Sequence, residues 1–161
     1  MEKITLKPIG IIYTPFDSLE GMPIQPTGAI GVNGIIELFP EFTEGLKDLG
    51  EFSHIILIYH FHLSGDHKLL VKPFMDDDLH GVFSTRAPKR PNPIGISVVK
   101  LIKIDMNKLY IENVDMLNKS PLLDIKPYIS DVDYVEVDKM GWLKGKSHKM
   151  GDKKSDNRFC D

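Results

Sequence analysis

The chain holds a single cysteine, Cys160. One thiol forms no internal disulfide and builds no multi-thiolate metal site. Long apolar runs are missing as well. None reaches the roughly 18 residues that a membrane-spanning helix needs, and the start Met1-Glu2-Lys3-Ile4-Thr5 has no apolar secretion block. The expectation is a cytoplasmic protein with no membrane segment. An excess of positive charge is also lacking: the net charge is −3. Binding to nucleic acid through overall charge is excluded, though a local basic patch is still allowed. Several catalytic signatures are absent: a G-x-S-x-G elbow, an H-E-x-x-H helix and a motif-placed acid pair for glycoside chemistry.

What is present is a run of β-prone segments within 161 residues, enough for one domain with a real core. Strands are expected over residues 4–13, 29–39, 52–63, 81–85, 94–104 and 109–114, with one short helix over 40–50 that starts at Pro40 and stops at Gly50. Residues 14–28 and 64–80 are long, aperiodic loops, and loops of that length are candidates for function. The pattern predicts a mainly β fold, a barrel or sandwich with one or two short helices and long loops. Gly28, Gly31 and Gly34 repeat at a spacing that invites a nucleotide-loop reading. Their expected place inside a strand argues against it. From Gly141 the chain is poor in apolar residues and carries six Lys or Arg, which reads as a basic, loosely ordered tail.

The most informative stretch is residues 81–96, GVFSTRAPKRPNPIGI. Pro88, Pro91 and Pro93 fix their own φ and push the preceding residues out of the helical region. The result is a stiff extended loop holding Arg86, Lys89, Arg90 and Asn92 in set directions, as anion recognition requires. A plain connection with solvated charges is the competing reading. A second motif lies within residues 115–128, DMLNKSPLLDIKPY. A turn at residues 118–121 leads into an extended run that places Asp124, Lys126 and Tyr128 on one face. The histidines cluster too: His54, His60, His62, His67 and His80 fall between residues 54 and 80. Their spacing matches no metal motif, and partly buried or rim histidines are the simpler reading.

Residues 85–95, TRAPKRPNPIG, resemble the T-R-(S/A)-P-x-R-P-N-P-I-G signature of the TsaA-like family, the tRNA methyltransferase O family. Residues 115–128 resemble that family's D-L-L-D-G-T-P-x-L-D-I-K-P-Y segment. Pro8-Ile9-Gly10, Gln25-Pro26 and residues 52–55 fall in the family's order, so the likeness covers about residues 6–142. It implies a small β-barrel domain over residues 1–142, followed by the basic tail of residues 143–161. It also implies S-adenosylmethionine as methyl donor, tRNA as partner, a homodimer with the cofactor near the subunit interface, and methylation of N6 of threonylcarbamoyladenosine at tRNA position 37. Carried over residue by residue, the donor contacts are Gln25, Pro26, Phe61, His62, Arg86, Ile96, Pro121, Leu122, Leu123 and Asp124. Asn118-Lys119-Ser120 departs from the family's D-G-T turn, and the extra C-terminal domain of longer members is missing.

The chemistry suits the residues. Methyl transfer from a sulfonium needs positioning more than a protein nucleophile. A ureido-substituted adenine N6 is a poor nucleophile and benefits from a base or a polarising contact. Asp124, Lys126 and Tyr128 are the catalytic candidates, Arg86 faces the donor, and Lys89, Arg90 and Asn92 face RNA, with the basic tail as a further source of charge. Two other classes stay open here: a non-catalytic β-barrel that binds RNA or a partner, and a metal-dependent hydrolase built on the histidines.

Overall fold

A computed structural model of the chain describes residues 4–159; Cys160 lies outside them. Among the described residues there are eight strands: β1 (Gly10–Tyr13), β2 (Asn33–Leu38), β3 (His54–His60), β4 (Leu70–Val71), β5 (His80–Gly81), β6 (Ile94–Asp105), β7 (Lys108–Glu112) and β8 (Ser120–Pro127). Six of them close an antiparallel barrel in the order β1-β2-β7-β6-β3-β8, with β8 returning to β1. The mainly β expectation holds, and of the barrel and the sandwich it is the barrel that forms. Strands β4 and β5 make a separate two-stranded ribbon.

Period-two burial fills the barrel. Along β3, Ile55, Leu57 and Tyr59 point inward, while His54, Ile56, Ile58 and His60 face outward. Ser97, Val99 and Leu101 do the same on β6. With Ile12, Ile36, Leu109, Ile111 and Leu122 they form one core. Pairing of β3 with β8 shifts between Ile58 and Tyr59, which leaves Leu123 as the extra residue of a bulge. The bulge sends Leu122 into the core and turns Asp124 outward, opposite Ile58.

Several elements differ from expectation. Residues 40–50 form two 3₁₀ segments, Pro40–Leu46 and Leu49–Glu51, because Asp48 takes a left-handed conformation (φ 64°) that breaks the run. Only Gly34 of the three spaced glycines lies in a strand; Gly28 ends a 3₁₀ turn and Gly31 occupies a turn at φ 80°. Residues 82–84 form a 3₁₀ turn where a strand was expected. The segment over residues 141–159, expected to be part of a loosely ordered tail, packs onto the loops beside the barrel. It runs as successive turns, and Phe159 enters a second small core with Val71, Val82 and Ala87, packed against Leu19 and Phe74. Few apolar residues suffice because the docking rests mainly on backbone and polar contacts. Gly21 N–H donates to Ser155 O, Ser155 N–H donates to Met22 O, and Arg158 Nη1 donates to Pro73 O.

Candidate functional site

Two loops meet at residues 25 and 86. Gln25 caps the 3₁₀ turn Pro26–Gly28, and Arg86 leaves the proline-stiffened loop exposed to solvent. Arg86 Nη1 donates to Gln25 Oε1 at 2.7 Å. Residues 61 positions apart in sequence thus present a guanidinium and an amide side by side, a pairing suited to a carboxylate.

Below this pair the barrel wall is tightly specified. Phe61 N–H donates to Pro93 O, and the Phe61 ring meets Tyr59 edge-on at 5.5 Å. A Cβ at Gly95 would stand 2.5 Å from the Tyr59 ring and 2.9 Å from Phe61 Cζ, so only glycine lets β6 approach there. Next to Phe61, His62 Nδ1 is buried without a hydrogen-bond partner among the described residues. Burial, joined by neighbouring His60, holds the His62 pKa below its ordinary value.

Across the outer face, pairing sets Ile96 opposite Ile58 and Ile58 opposite Asp124, one row over three strands. The adjoining row is Val98, Ile56 and Lys126. Asp124 and Lys126 therefore share the outer face, and their side chains pair at 2.8 Å. Ile125 N–H also donates to Asp124 Oδ1. Tyr128 follows the end of β8 and gives its N–H to His54 O. Asp124 also lines a cleft of about 420 Å³ floored by Ile9, Leu46, Leu49 and Phe52.

Some candidates sit elsewhere. Lys89, expected to face RNA, is 1% exposed and buried within the loop. The second small core draws the loop inward at Ala87 and carries Lys89 under the surface. Arg90, also assigned to RNA, spends Nη1 on Thr85 O at 2.8 Å and on Val82 O at 3.2 Å, so it ties the loop together. Asn92 is exposed, and its carbonyl accepts Ile94 N–H. Leu122 is fully buried and its carbonyl takes Ile9 N–H, which makes it a core residue where a donor contact was expected. Pro121 pairs with Ile11 of β1, and Leu123 is the bulge residue.

One cluster was not among the expected site residues. Ser97 Oγ donates to Asp115 Oδ1 at 2.6 Å and lies 3.1 Å from Tyr59 Oη, all three inside the barrel. Burial pushes the Asp115 carboxyl up to about 6, against the lowering effects of the Ser97 hydrogen bond and of Arg86. Burial, then the charge of Asp115, raises the Tyr59 hydroxyl. The signal was available: Tyr59 and Ser97 both fall on inward positions of neighbouring strands. Among the described residues, no group of three or more His, Cys, Asp or Glu is placed to hold a metal ion.

This architecture defines a closed β-barrel whose candidate ligand groups come from two long loops and one outer face. The profile of the tRNA-methyltransferase O N-terminal domain matches residues 11–134, and the chain belongs to that family. A Pyrococcus abyssi protein named as a probable S-adenosyl-L-methionine-binding protein is 53% identical over 97% of this chain and 85% of its own length. The mouse tRNA (adenine(37)-N6)-methyltransferase is 37% identical over 79% of this chain and 31% of its own length. The crystal structure of TrmO from Pseudomonas aeruginosa superposes with a TM-score of 0.74 at 35% identity. The alignment covers 88% of this chain and 63% of that one, so this chain spans under two-thirds of the bacterial protein.

Proposed function

We propose that this protein binds S-adenosylmethionine and methylates tRNA, with N6 of threonylcarbamoyladenosine at position 37 as the acceptor. The observation that carries the reading is the convergence of Gln25 and Arg86, joined at 2.7 Å, in a family of tRNA methyltransferases. The surroundings fit the donor. A cation and an amide suit its carboxylate, His62 Nδ1 supplies a polar atom in need of a partner, and Phe61 and Ile96 supply apolar surface. When bound, S-adenosylmethionine supplies an electrophilic methyl group on a sulfonium.

The chain's own work is placement. Arg86 holds the donor's anionic end, and Gln25 keeps the guanidinium aimed. Asp124, on the outer face beside Ile58 and Ile96, takes the proton that leaves N6, and its pairing with Lys126 fixes the carboxylate. Tyr128 lies at the end of the same strand as a contact for the acceptor base. The apolar outer face of β3 and β6, with Ile96 56% exposed, supports a homodimer in which the donor lies near the second subunit. The family's place in tRNA modification supports a cytoplasmic location.

The test is incubation of bulk tRNA with labelled donor, digestion, and identification of the labelled nucleoside. Label on N6-methylated threonylcarbamoyladenosine is expected. Label on another nucleoside would overturn the acceptor assignment. Donor binding without any label would favour the non-catalytic RNA-binding barrel.

A further inference from the structure

The loop cations expected to meet RNA are committed elsewhere: Lys89 is buried and Arg90 binds carbonyls of its own loop. A different surface carries the positive charge. Residues 144–154 contain Lys144, Lys146, Lys149, Lys153 and Lys154 against one acid, Asp152. That segment contributes +4, so the rest of a chain with net charge −3 carries −7. Lys146 pairs with Asp76, whereas Lys144, Lys149, Lys153 and Lys154 are exposed.

The lobe is also anchored beside the donor loops. Lys154 bridges to Pro23, and Ser155 exchanges backbone hydrogen bonds with Gly21 and Met22, a few residues before Gln25. A Cβ on Gly28 would come within 2.6 Å of Gly151 O, so the lobe lies directly on the turn that follows Gln25. At its other end, Trp142 Nε1 donates to Ser84 O, two residues before Arg86, and the Trp142 ring stacks on His80 at 4.5 Å.

We infer that this lobe is the RNA-binding surface of the protein, its four exposed lysines gripping backbone phosphates and holding the RNA beside the adjoining Gln25–Arg86 donor site. A basic lobe on a molecule whose remainder is net acidic steers a polyanion toward that lobe. Lysine suits such a surface, because a point charge on a flexible stem follows a phosphate backbone without reading sequence. The inference rests on the proposed tRNA substrate, but it is tested through binding alone.

The experiment compares three full-length proteins for affinity to bulk tRNA across a salt series. They are the wild type, a variant with Lys144, Lys149, Lys153 and Lys154 changed to Gln, and a control with Lys7, Lys47, Lys103 and Lys108 changed to Gln. Both variants lose the same charge. The lobe variant is expected to bind tRNA at least about tenfold more weakly at low salt, and to lose about three to four from its log–log salt slope. The control is expected to follow the wild type. Melting temperature and S-adenosylmethionine affinity confirm that the lobe variant is folded. Equal weakening in both variants, or none in the lobe variant, overturns the inference. Wild-type protein that binds tRNA through the lobe yet methylates no nucleoside leaves the surface standing and overturns the proposed function instead. Wild-type protein that binds no tRNA overturns both.

Discussion

Arg86 and Lys89 are three positions apart in one stiff loop and have opposite environments. Arg86 is exposed and aimed by Gln25; Lys89 is buried. Arg86→Ala is therefore expected to weaken donor binding by about tenfold or more, the scale of a lost charged hydrogen bond, with little change in melting temperature. Lys89→Ala is expected to lower the melting temperature instead, since it empties a buried site. Calorimetric titration beside thermal unfolding separates the two, and a matching pattern in both variants would undo the division of roles. Asp115 offers a second test. Its folded pKa is raised to about 6, so the native state holds a proton there that the unfolded chain has already released. The resulting stabilisation is full below the ordinary carboxylate range and is lost as pH rises toward and through about 6, a change on the order of 2–3 kcal/mol. Asp76 has the opposite sign. Its hydrogen bond from Lys146 holds its pKa at about 2, so its contribution is lost only as pH falls below the ordinary range. Comparison of wild type with Asp115→Asn from pH 4 to 7 isolates the first effect. The variant's stability is expected to fall less across that window, and parallel curves would refute the assignment.

At the scale of elements, alternation made β3, β6 and β7 legible, because a barrel wall with one face in the core writes period two directly into the residues. The proline count made the stiffness of residues 86–93 legible as well. Pattern did not reveal which cation would be buried, since Lys89 follows Val82 and Ala87 into a small core completed by Val71 and Phe159 from other parts of the chain. The Leu123 bulge was equally hidden: a single inserted residue decides that Leu122 is core and Asp124 faces outward, and nothing local marks it. The lobe after Gly141 reads as disordered by composition because it buries little apolar side chain. It is held by Trp142, Phe159 and a set of backbone hydrogen bonds that composition does not register.

At the scale of the whole molecule, the outer face of β3 and β6 presents Ile94, Ile96 and Val98, each more than a third exposed, next to the half-buried Ile56 and Ile58. A contiguous apolar face at this position fits the proposed homodimer. Val98→Asp lies outside the donor and acceptor contacts and is expected to shift the protein to monomer in light scattering, with the barrel's β-type circular dichroism retained. A wild type already monomeric at tens of micromolar would refute the dimer.

The seam between Ser155 and residues 19–22 joins positions up to 136 apart. Synthesis proceeds from the N-terminus, so the loop bearing Gln25 is made early and gains its contacts with Ser155 only after residue 155 has emerged from the ribosome. A nascent chain halted before that point has made every barrel strand and the Arg86 loop, yet lacks the contacts that Ser155 makes with residues 19–22. The contacts that hold residues 19–22 against Ser155 are thus acquired after the barrel strands and the Arg86 loop have been made.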